Sequence, residues 1–145
     1  MIAPRNLILL ALFSLLSLHL SAQTSNGTWQ GKTQIEGQEY QVTVIIQAID
    51  STANTSRWYD KKVTGTLILE RGEQREFFPL KGIMYDDQSV HLFQKQAKGN
   101  SSCRWTLSLG YFQKEMLIGE IQKKHYDEVC QPGQYLKLKK VKSRA

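Results

Sequence analysis

The sequence is short of the residue types from which catalytic and metal sites are usually built. Its 145 residues include two cysteines, three histidines and three prolines. Two cysteines cannot supply a four-thiolate zinc site or an iron–sulfur cluster, and their wide spacing excludes a CxxC redox pair. There is no glycine-rich phosphate loop, no dinucleotide fingerprint and no nucleophile elbow. Only one long apolar run occurs, at residues 7–18, and it is shorter than the roughly 20 residues a membrane-spanning helix needs. No window after it carries an apolar stripe of helical period for more than a couple of turns.

What is present begins with an export signal. Arg5 precedes the apolar run, and Ser21 and Ala22 follow it as the small residues of a cleavage site. Cleavage is expected after Ala22, leaving residues 23–145 as one domain that is secreted or periplasmic. No cysteine follows the run to take a bacterial lipid anchor. Outside the reducing cytosol, Cys103 and Cys130 are expected to pair, contributing roughly 3 to 4 kcal/mol. Net charge is +6, and much of it lies in Lys137, Lys139, Lys140, Lys142 and Arg144. Charge of this kind attracts anionic lipid, glycan or nucleic acid, but it is more often the solvated face of a last strand and a frayed tail. No nucleic-acid partner is expected.

Strand patterning dominates the rest. Tyr40, Val42, Val44 and Ile46 alternate with polar neighbours, as do Val63, Gly65, Leu67 and Leu69, and Trp105, Leu107, Leu109 and Tyr111. Turn-forming clusters cut the chain into eight predicted strands, at residues 28–35, 39–49, 62–70, 75–85, 89–96, 103–112, 116–124 and 134–142. The segment 131–133, Gln-Pro-Gly, is read as the last break. Short connections between strands predict an antiparallel up-and-down meander, and closure into an eight-stranded barrel removes both exposed edges. An open sandwich is the alternative. Gly65, Gly82, Gly110 and Gly119 fall inside strands, where a small barrel needs close approaches and bends.

Gly27-Thr28-Trp29 at the head of this meander resembles the calycins, the superfamily of lipocalins, avidins and fatty-acid-binding proteins. In lipocalins and avidins a G-x-W motif opens the first strand and its tryptophan closes one barrel end. The resemblance implies a structural role for Gly27 and Trp29, with a basic side chain over the ring from Lys137, Lys139 or Lys140. The later lipocalin motifs are not recognisable, and no biotin-holding residues can be mapped. The resemblance therefore implies the fold and, loosely, a cup for a small molecule or a rigid platform for a partner protein.

Interior positions of the expected barrel fall to Trp29, Tyr40, Trp105, Leu107, Leu109 and Tyr111. Tyr40, Trp105, Leu107 and Tyr111 are the candidate ligand-binding residues, because small-molecule pockets are mostly apolar with few polar groups. Trp58 and Tyr59 fall near a loop, as interface anchors or a cap on the barrel mouth. His125, Asp127 and Glu128 lack metal-ligand spacing and read as a solvated loop. Asp87, Ser89 and His91 are too linear for a catalytic triad. Glycosylation triplets begin at Asn26, Asn54 and Asn100. The expected protein is a non-catalytic exported barrel binding a small, mainly apolar ligand, with no cofactor or metal. The alternative is a protein-interaction module of the cell envelope or extracellular space, similar to a protease-inhibitor barrel, with a filled core.

Overall fold

The computed structural model describes residues 26–50, 61–85, 88–96 and 102–142, with side chains to residue 47 in the first segment. The expected signal at 1–22, the loop residues Trp58 and Tyr59, Asp87, and the triplet residues Asn54 and Asn100 lie outside the described residues. Eight strands form: β1 (Gly27–Ile35), β2 (Gln38–Asp50), β3 (Lys61–Arg71), β4 (Gln74–Tyr85), β5 (Ser89–Gln94), β6 (Arg104–Gln113), β7 (Met116–His125) and β8 (Glu128–Lys140). Each pairs antiparallel with the next, and β8 returns to β1, so the sheet is a closed meander barrel. Among the described residues no helix is long and apolar enough to cross a membrane.

Closure is made by a short seam. Trp29 and Gln30 of β1 pair with Lys140 and Lys139 of β8. The Val141 amide adds a bond to the Thr28 carbonyl at 2.7 Å. Further along, the Thr33 hydroxyl donates to the Tyr135 carbonyl at 3.2 Å. Strand curvature rests on backbone contacts that exclude side chains. A Cβ at Gly65 would overlap the Ile45 carbonyl oxygen, and one at Gly82 would overlap that of His91. The β1–β2 turn, Glu36-Gly37, has φ values of 51° and 76°, the left-handed pair that a two-residue hairpin turn requires.

Inward residues follow the period-two pattern through β1 to β4. Val42, Val44, Val63, Leu67, Leu80 and Met84 are buried in one cluster with Leu92, Leu117, Leu136 and Leu138. Two elements depart from the sequence reading. In β6 one extra residue stands between Ser108, opposite Glu120, and Tyr111, opposite Ile118. This bulge centres on Leu109, whose φ is 52°. It reverses the alternation, so Trp105 and Leu107 point inward while Leu109 and Tyr111 face solvent. The expected interior placement of Leu109 and Tyr111 is thus corrected, and Gly110 and half-buried Phe112 take the inward positions. In β8 the strand starts at Glu128, because Tyr126-Asp127 forms the turn. Gln-Pro-Gly at 131–133 is not a break but lies within β8. Register there advances three residues on β8 for two on β7, a bulge that accommodates Pro132 without a ladder donor.

Candidate functional site

The two barrel ends differ. One is sealed by the G-x-W motif. Trp29 is buried, with Phe112 against it at 5.2 Å between ring centroids. Of the three candidate lysines, Lys140 supplies the cation, its Nζ 5.4 Å from the Trp29 ring centroid. Gly27 faces the same pair: a Cβ there would come within 2.8 Å of Lys140 Cε and 3.2 Å of the indole. Glycine two residues before tryptophan is therefore a packing requirement, since the lysine stem occupies the space a side chain would fill.

A cluster of buried apolar side chains occupies the barrel interior among the described residues. The space left between Val44, Leu67, Leu80, Leu107, Ile121 and Leu136 is about 10 Å³. That is no more than one water-sized probe occupies. Leu107, expected to line a ligand chamber, is a core residue at 4% exposure.

Among the described residues, no aromatic plug closes the opposite end. The turns β1–β2, β3–β4 and β7–β8 surround it, and the Cys103–Cys130 disulfide ties its rim. Within the rim lies a depression of about 150 Å³. Buried Ile35, Leu69 and Trp105 border it together with Tyr40, Arg71, Lys123, Gln131 and the carboxylates Glu36 and Glu76. Of the four residues expected to bind ligand, the structure brings Tyr40 and Trp105 together here, leaves Leu107 in the core and puts Tyr111 on the outer wall.

Local structure holds Trp105 firmly. β5 and β6 stop pairing at Phe93–Thr106, and the buried Gln94 side chain extends the ladder by accepting from the Trp105 backbone amide at 3.1 Å. Phe78 packs edge-on against the indole at 6.2 Å. Lys123, opposite Trp105 in the register, sets its ammonium 4.9 Å from the ring centroid. Arg71 does the same for Tyr40 at 5.7 Å and donates to Gln74 Oε1 at 3.3 Å. Both cations are thus held over rings at the mouth rather than free in solvent. Trp105 is 4% exposed, yet its indole Nε1 has no hydrogen-bond partner. An orphan buried donor costs roughly 1–3 kcal/mol, and native structures usually satisfy it. Sequence reasoning missed Arg71, Lys123, Gln94 and Gln131. Period-two counting places Lys123 inward with Ile121, but a lysine in that position reads as a strand end.

A second, larger cleft of about 340 Å³ lies outside the rim, between Ser102, Arg104, Lys124, His125 and Tyr126. Its lining is exposed or half-buried, and it contains no orphaned buried polar atom. Among the described residues, no group of three or more His, Cys, Asp or Glu side chains is placed to hold a metal.

Fold and site together define a closed, eight-stranded antiparallel barrel with an apolar core, one end plugged by Trp29 and one polar-rimmed mouth. No family model, no curated protein and no solved structure matches the chain.

Proposed function

We propose that this is a non-catalytic, exported barrel of calycin type that binds a small, mainly apolar molecule at its mouth rather than inside it. The observation that carries the reading is the unpartnered Trp105 Nε1, buried beside a depression whose floor is apolar and whose rim is polar and charged. A ligand with an apolar body and one acceptor oxygen would cover Ile35, Leu69 and Trp105. Its acceptor would pair with the indole nitrogen, which is fully covered in the free protein, once a rim side chain moves aside. Tyr40 would flank the body, and Lys123 and Gln131 offer further donors at the edge. Export is supported by the signal-like segment at 1–22 and by a disulfide at the mouth rim. Calycin membership is supported by the G-x-W seal and the eight-strand meander.

Native mass spectrometry of the protein purified from its own source is expected to detect a co-purifying small molecule. Titration with that molecule should shift the Trp105 indole N–H resonance more than that of Trp29. A shift confined to Trp29, or none at either ring, rejects mouth binding. The filled core favours a second reading, a protein-interaction module that uses the rim as a rigid platform. Cross-linking that captures a protein through the rim, with no small molecule detected, would select it.

A further inference from the structure

The outer wall of β6, β7 and β8 exposes three large apolar side chains, Leu109, Tyr111 and Tyr135, around a buried Ile118. Two neighbouring rows cross these strands: Tyr111–Ile118–Lys137, and Ser108–Glu120–Tyr135. The bulge lifts Leu109 out between them. It is 80% exposed, at a φ of 52° that L-residues avoid. Tyr111 is 44% and Tyr135 66% exposed. On the side toward the sealed end, the next row is Gln113–Met116–Lys139. Lys114 stands in the adjoining turn and Lys142 just beyond β8.

These four lysines have no ion-pair partner among the described residues, whereas Lys32 is paired with Glu39 and Arg75 with Glu70. The acids on this wall are Glu120 and Glu115. Glu120 turns its carboxylate toward Gly133, along β8. The wall is therefore an aliphatic tip with two tyrosines, bordered on one side by unpaired ammonium groups. Protein interfaces are depleted in lysine. Tyrosines at headgroup depth with lysines facing anionic phosphates are the pattern of a bilayer contact.

We propose that the outer wall of β6–β8 docks on an anionic lipid bilayer, Leu109 entering the headgroup–acyl boundary and Lys137 and Lys139 meeting the phosphates. The contact lies on the wall, not at the mouth, and stands independently of any ligand there.

The test uses the chain from Gln23, which contains the whole closed barrel and lacks the apolar run. Co-sedimentation with vesicles of equimolar phosphatidylcholine and phosphatidylglycerol should bind the protein, and phosphatidylcholine vesicles should not. Raising salt to about 1 M, where the screening length falls to about 3 Å, should release it. Lys137→Gln with Lys139→Gln should weaken binding about thirtyfold. Leu109→Asn, whose side chain tolerates the left-handed backbone, should also weaken it. Lys62→Gln, on β3 across the barrel, should leave it unchanged. Absence of binding, equal binding to both vesicle types, or equal losses in the Lys62 and Lys137/Lys139 variants would each overturn the proposal. So would a self-associating protein that Leu109→Asn renders monomeric without any vesicle binding, because a second copy would then be the occupant.

Discussion

At Trp105 two environments meet in one side chain. The ring belongs to the core, with Phe78 and Lys123 around it, while the indole nitrogen stays without an acceptor. Trp105→Phe keeps most of the ring and deletes the donor. Affinity for the proposed mouth ligand is expected to fall about tenfold, the worth of a hydrogen bond near 1.4 kcal/mol, with a modest drop in the thermal midpoint from the smaller core ring. Isothermal titration of the two forms checks it, and equal affinities would remove the indole from the site. His91 sits on the outer wall 6.1 Å from Phe93. Desolvation by its neighbours, and then the positive charge of Lys124, hold its pKa below the usual 6.5. The unfolded chain therefore takes up this proton first as pH falls. His91's share of stability is complete above about pH 6.5 and is lost as pH drops through the folded-state value. Urea melts across this range should show a decline that His91→Gln reduces.

Strand order, strand number and most boundaries were legible because β1 to β4 keep a period-two pattern and turn-forming residues stand at most element ends. Hidden from that reading were the bulges of β6 and β8. Trp105, Leu107, Leu109 and Tyr111 alternate without a break in sequence, and nothing in their polarity marks the residue where the chain slips. Gly110 is the one local signal, since a glycine inside a strand often accompanies a bulge. In β8, Pro132-Gly133 looks like a turn because both residues are turn formers. Pairing to β7 on either side of them, at Gln131 and Gln134, carries the strand through them. The mouth was half legible. Tyr40 and Trp105 stand out as aromatics, but Arg71, Lys123 and Gln131 become inward-facing only once closure puts them around a common rim. Curvature has its own test. Gly65→Ala drives a methyl into the Ile45 carbonyl, so a loss of about 2 kcal/mol or more is expected in chemical denaturation. Unchanged stability would mean that β2 and β3 can separate freely at this point.

For the molecule as a whole, the disulfide and the seam share the task of keeping a meander closed. Cys103 precedes β6 and Cys130 lies in β8, so the bridge spans β7 and braces the rim where β8 carries its bulges. Replacing both cysteines by serine should lower unfolding free energy by roughly 3 to 4 kcal/mol. The barrel should persist as judged by far-ultraviolet circular dichroism. Full loss of structure would instead make the bridge a condition of folding. The seam has a further consequence. β1 starts and β8 ends at the sealed end, where Val141 bonds to Thr28. Both strand termini therefore leave the barrel at the pole opposite the mouth. A tether joined directly to the start of β1 or the end of β8 would hold the barrel by its base, with the mouth facing away from whatever it is fastened to.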